Sequence, residues 1–214
     1  MSDYVWVSNM NADSMLTKYM SSDVGERTTE QAQDGLRIKW FGKPAPPDYG
    51  PRKIWADEIH EDERAMRPKY TPEPLFDADG FWIVCSKAAE ILRGFDLGGG
   101  TLNRVSEGVW APDPAVRDPD EWFCWTFGNA KKAFLQAHSP QAPGRDGPEL
   151  RDVCNMPFAM ADDVIAVSAD ATRGPDVWID RGLARSVFLS RALGDALDSA
   201  GLGKAFRIYR ARVV

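Results

Sequence analysis

The sequence predicts an α+β fold, a mixed β-sheet with short helices, and three observations carry that expectation. Residues Asp176 to Arg212 read as a complete strand–helix–strand unit with its own start and stop signals. A second unit of the same order (strand, Ser, helix, Gly, strand) begins at Phe81. Elsewhere short apolar runs outnumber long helical patterns, and the connections are rich in Pro.

In chain order, Tyr4 to Val7 reads as a first strand. Asn11 to Met20 has room for one or two helical turns, and Ser21 to Gln33 is polar enough for a loop. Leu36, Ile38 and Trp40 alternate with polar neighbours, the pattern of a half-buried strand. The stretch Lys43 to Pro51 carries four Pro, which supply no N–H and disfavour helix before them, so it is an extended crossing. Asp57 to Arg67 is charged and suits a solvated helix. Phe81 to Cys85 is a strand, Ser86 a helix N-cap, and Ala88, Ala89, Ile91, Leu92 and Phe95 an apolar helix face. Gly98-Gly-Gly100 is the helix exit, and Thr101 to Val105 resumes as extended chain. Val109 to Pro119 reads as a Pro-broken loop, and Trp122 to Phe127 as a core strand. Gly128-Asn129 turns that strand, and Ala130 to Ala137 returns beside it. Pro140 to Pro148 is a loop, and Val164 to Val167 and Asp176 to Ile179 are strands. In the last unit Ser190 caps a helix whose stripe is Ala192, Leu193, Ala196, Leu197 and Ala200. Gly201 closes it.

Aligning the two units on Ser86 and Ser190 matches Ala88 with Ala192, Ala89 with Leu193 and Leu92 with Ala196. They are either pseudo-related halves of one domain or a common supersecondary step used twice.

The 214 residues suffice for one large domain or two small ones, and a single domain over 1–214 is expected. Apolar residues at 43% and eight Trp supply ample core material, which excludes global disorder. A net charge of −6 argues against a general nucleic-acid binder, which needs a basic surface, and suits a basic partner. The N-terminal residues lack the basic and apolar regions of a signal peptide. No stretch approaches the roughly 20 apolar residues of a membrane span. Cys85, Cys124 and Cys154 are odd in number and form no CxxC, so they read as reduced thiols. The expectation is a cytoplasmic protein with no membrane contact.

Chemistry is sparse. His60 and His138 have no metal-ligand partner at useful spacing, so no metal or cofactor is expected. The glycines at 98–100 follow a helix rather than opening one, the wrong polarity for phosphate. Asp176, Trp178 and Asp180 share one strand face and suit a cationic neighbour, most simply the chain's own Arg207, Arg210 or Arg212. The acidic run holding Asp57, Glu58, Glu61, Asp62 and Glu63 is a solvated face or a docking surface for a basic partner.

One resemblance adds to this reading. Asp176-Val-Trp-Ile-Asp180, Ser186 to Leu197, Ala200-Gly-Leu202 and the Arg-rich final strand resemble the tail of a bacterial immunity-protein family. This is immunity family eleven of polymorphic toxin systems, formerly a domain of unknown function. Ile83 to Gly99 resembles the family's upstream strand–Ser–helix element, and Trp122 to Ser139 its central strand. The family's acidic residue after that strand has no counterpart in Asn129 to Ala137. The resemblance covers about Phe81 to Val213. It implies a non-enzymatic protein that binds and neutralises a cognate toxin domain, and it transfers no catalytic residue. The alternatives are a small enzyme with a site around Cys124 or Glu121, or an adaptor module of a secretion system.

Overall fold

The computed structural model describes residues 3–18, 20–24, 28–56, 73–111, 116–145 and 152–214. Five strands and one helix precede the first predicted unit: β1 (Tyr4–Ser8), β2 (Thr17–Lys18), β3 (Met20–Ser22), α1 (Thr29–Phe41), β4 (Lys53–Ala56) and β5 (Leu75–Ala78). Then come β6 (Phe81–Cys85), α2 (Ser86–Arg93), β7 (Leu102–Arg104), β8 (Gly108–Trp110), β9 (Trp122–Trp125) and β10 (Ala130–Lys131). The last third holds β11 (Cys154–Asn155), β12 (Ala166–Val167), β13 (Val177–Asp180) and β14 (Leu183–Ala184). It closes with β15 (Val187–Leu189), α3 (Arg191–Ser199) and β16 (Ile208–Val213). The fold is α+β, with mixed sheets and short helices.

Two larger sheets face each other across α2 and α3. One has the order β10-β13-β15-β1-β16-β12 and the other β2-β5-β6-β9-β7. The helices pack on one another, and a single apolar core joins them to both sheets. Trp82, Val84, Phe123 and Trp125 enter it from one side, and Val177, Ile179, Val187 and Leu189 from the other. The outer face of the β6–β9 sheet packs Phe76, Ile83, Trp122 and Cys124 beneath a small β3-β4-β8 sheet. The outer face of the β1–β15 sheet packs Val5, Val7, Trp178 and Phe188 under residues 133–142 and 154–171. With both faces covered, β9 reads as an unbroken apolar run, Trp-Phe-Cys-Trp, instead of an alternating one.

The two predicted units are topologically equivalent halves. In the first, β5 pairs with β6, α2 crosses, and β7 returns one strand away with β9 between β6 and β7. In the second, β13 pairs with β15, α3 crosses, and β16 returns one strand away with β1 between β15 and β16. Every one of these neighbouring pairs is antiparallel. The difference lies in the middle strand. The first half takes it from downstream, and the second takes it from residues 4–8. The helices equate by their caps and not by their serines. Cys85 is the N-cap of α2, with Ser86 already helical and no side-chain cap bond. Ser190 is a true N-cap, accepting the Leu193 N–H at 3.2 Å. The buried sets are then Ala88, Ala89 and Leu92 against Leu193, Gly194 and Leu197, one position from the serine alignment.

Four local expectations fail for identifiable reasons. Residues 29–41, read as loop and strand, are a helix. Its start is a capping box, in which Thr28 Oγ1 accepts the Gln31 N–H and Gln31 Oε1 accepts the Thr28 N–H at 2.9 Å. Leu36, one of the three alternating residues taken for a strand face, is 53% exposed. Ala130 to Ala137 does not return beside β9. Its first two residues cross to the other sheet and pair parallel with β13. Val109 and Trp110, read as the start of a loop, belong to strand β8 of the small sheet. Gly98–Gly100 is not the helix exit, since α2 ends at Arg93. Those glycines meet a second backbone track: a Cβ on Gly128, at φ 64°, would stand 1.9 Å from the Gly99 carbonyl carbon.

Candidate functional site

The acidic run with Asp57, Glu58, Glu61, Asp62 and Glu63 lies outside the described residues, as does His60. It follows β4 directly in the sequence. Net charge is −6 for the whole chain and −2 for the described residues, so four of the six negative charges sit on segments beyond them.

Among the described residues the polar side chains with the best-defined surroundings serve the fold. Asp180, at the end of β13, is 1% exposed. Its carboxylate accepts N–H groups from Ala133 at 2.6 Å, Phe134 at 2.9 Å and Gly182 at 2.8 Å. That leaves it little lone-pair capacity for a ligand. Trp178 does meet a cation from within the chain, as the shared strand face suggested, but the cation is Lys131. Its Nζ stands 3.6 Å from the ring centroid and donates to the carbonyls of Arg173 at 2.6 Å and Pro175 at 3.2 Å. Burial pulls that ammonium down to about 8, against the opposing pull of Asp176 and Asp96. The three arginines expected there go elsewhere. Arg207 pairs with Asp13, Arg210 with Asp162, and Arg212 donates to the His138 and Asp163 carbonyls.

A shallow cleft, open to solvent, lies between α1 and the β6–β9 sheet, lined by Lys39, Tyr49, Trp82, Cys124 and Trp125 among others. It encloses about 10 Å³, far below the roughly 300 Å³ at which ligand sites begin. Its charged group is already engaged: Lys39 pairs with the buried Asp77 and lies 4.9 Å from the Trp82 ring centroid. That pair pins α1 to β5. Cys124 is 1% exposed in the core under the small sheet, and Glu121 is on the surface, paired with Arg104. Of the two residues named as alternatives for an enzymatic site, Cys124 lines the cleft and Glu121 does not. Burial raises the Cys154 thiol, which disfavours its nucleophilic form. None of the three cysteines is in a disulfide. His138 ends a one-turn helix and is exposed.

No group of three or more His, Cys, Asp or Glu side chains among the described residues is placed to hold a metal ion. No helix among them is long and apolar enough to cross a membrane. No protein-family model, curated protein or solved structure matches the chain.

Proposed function

We propose that this chain is an immunity protein that binds and neutralises a cognate secreted bacterial toxin acting in the cytosol. The observation that carries the reading is the resemblance of Asp176–Arg212 to immunity family eleven, whose residues here build the core of the second half. Val187, Phe188, Leu189, Leu193 and Leu197 are buried and Ser190 caps α3, so what is shared is a scaffold. A scaffold of this kind leaves its surface to the partner. Neutralisation then works by steric blocking with charge complementarity and needs no chemistry from the inhibitor. The acidic run at Asp57, Glu58, Glu61, Asp62 and Glu63 supplies charge of the right sign for a basic toxin domain.

The test is genetic and biochemical. The reading frame beside this chain's own should encode a modular toxin. Expressing its terminal domain should kill cells, co-expressing this chain should rescue them, and the two should co-purify. Absence of both rescue and complex would sink the proposal.

A further inference from the structure

The likeness of the two halves continues outward on one side and stops short on the other. Strands β10 and β2 occupy the same place. Ala130 and Lys131 run parallel to the third and fourth residues of β13, and Thr17 and Lys18 to the third and fourth residues of β5. At the opposite edge, β12 runs parallel beside β16. Beside β7, the counterpart of β16, the described residues place no strand.

The hydrogen bonds show what that difference leaves. Asn9 donates its N–H to the Arg207 carbonyl, and Val213 donates to the Asp3 carbonyl, so Arg210, Arg212 and Val214 point away from β1. Residues 163–167 take them up. Asp163 donates its N–H to the Arg210 carbonyl at 2.8 Å, Arg212 donates to the Ile165 carbonyl at 3.0 Å, and Val214 donates to the Val167 carbonyl at 3.0 Å. On β7 the Thr101 carbonyl accepts the Thr126 N–H at 3.0 Å, and the Val105 N–H donates to the Trp122 carbonyl at 2.9 Å. Residues 101, 103 and 105 therefore face β9, and Leu102 and Arg104 point outward. Among the described residues nothing bonds to the backbone N–H or C=O of those two.

This open edge is firm. Asn103 Nδ2 donates to the Tyr49 carbonyl at 2.7 Å, and the Thr101 N–H donates to Thr126 Oγ1 at 3.0 Å. A rigid edge loses little entropy when a strand is added to it. Leu102 packs on the central core yet is only half-buried, so an added strand has apolar surface to cover. Unpaired N–H and C=O groups in a row are a template for one kind of ligand, an extended peptide backbone.

We infer that β7 is a strand-addition site, and that the toxin supplies an extended segment lying along Leu102–Arg104 as residues 163–167 lie along β16. The inference rests on the immunity reading and adds the surface on which the complex is built.

Amide hydrogen exchange of the wild-type protein, free and with the toxin domain encoded beside it, reads the site directly. In the free protein the Leu102 and Arg104 amides should exchange faster than those of Asn103 and Val105, which are bonded to β9. With toxin they should slow by about 10-fold or more. Arg104→Pro removes an outward N–H that the free fold does not use and sets a ring against the incoming strand. It should stay close to the wild-type melting temperature and weaken toxin binding about 10-fold or more, whereas Arg104→Ala, which keeps the N–H, should bind as wild type does. A complex that forms with both amides still exchanging fast, or with wild-type affinity in Arg104→Pro, overturns strand addition at β7 and leaves the immunity reading intact. So does protection already present without toxin. If that protection grows with protein concentration, the edge pairs with a second copy; if it does not, the chain covers the edge itself. A wild-type protein that neither binds nor rescues removes the immunity reading, and the strand-addition site with it.

Discussion

Asp180 concentrates the residue-scale energetics, because one buried carboxylate satisfies three backbone N–H groups from two segments. Asp180→Ala removes the partner of all three; the buried Ala133 donor then costs about 1–3 kcal/mol and the half-buried Phe134 and Gly182 donors less. Urea denaturation should therefore register a loss of about 2–4 kcal/mol, while Asp180→Asn, which keeps one acceptor oxygen, should lose less. Gly194 is the second such point. A Cβ there would stand 1.9 Å from Trp6 Cδ1, whose ring is fixed by its Nε1–H bond to Asp195 at 3.0 Å. Gly194→Ala should destabilise by about 1–3 kcal/mol through overpacking, reversing the roughly 1 kcal/mol that the same change brings in an open helix. Lys131 sets a pH dependence. Its ammonium titrates near 8 in the folded chain and near 10.5 when unfolded. Between those values the unfolded state binds the extra proton, so this residue's contribution to stability rises with pH. Below about 8 both states are charged and the cost of holding the cation is fully present. Wild type minus Lys131→Met, followed by denaturation from pH 7.5 to 10, should show that rise. A flat difference would refute it.

Helix boundaries separate what local signals determine from what tertiary packing determines. Ser190→Ala should cost about 1 kcal/mol because it removes a bonded cap, whereas Ser86→Ala should be neutral or slightly stabilising because Ser86 lies inside α2. Denaturation of the pair checks both. The last unit was legible except in its stripe, where Ala192 is exposed and Gly194 is buried in its place, since cap, Gly201 and flanking strands are all local features. Phe81–Cys85 and Trp122–Trp125 were legible for the same reason: an apolar run between turn signals leaves few alternatives. Helix α1 was not, because Leu36, Ile38 and Trp40 alternate over only five residues. The stronger signal, Thr28 with Gln31 three residues on, lay upstream of that window. Strand β10 was illegible in principle. Two residues adopt strand geometry there because β13 is beside them, and nothing in Ala130-Lys131 specifies which sheet they join. Of the site, the internal cation for Trp178 was legible as a chemical class. That it is Lys131 depends on that same crossing.

At the scale of the molecule, the two halves share one topology and differ in where the middle strand originates. The Val213 N–H donates to the Asp3 carbonyl at 3.1 Å, so residues 3 and 213 are adjacent across β1 and β16. A permuted chain that links 214 to 1 by a short turn and opens in the exposed 43–48 crossing would carry β1 after β16, matching β9 after β7. It should fold cooperatively with an unchanged far-ultraviolet circular dichroism spectrum, and an unfolded permutant would contradict the equivalence. The intercalated β1 also has a consequence in time. Synthesis proceeds at about 5–20 residues per second, so roughly 10–40 s separate the emergence of β1 from that of β15. During that interval β6, α2, β7 and β9 are all available to one another, while Tyr4-Val-Trp-Val has neither neighbour. On the ribosome the first half can close early. The second half must wait for its own last residues to capture a strand made long before, and that waiting strand is the segment a cell would most need to shield from other unpaired edges.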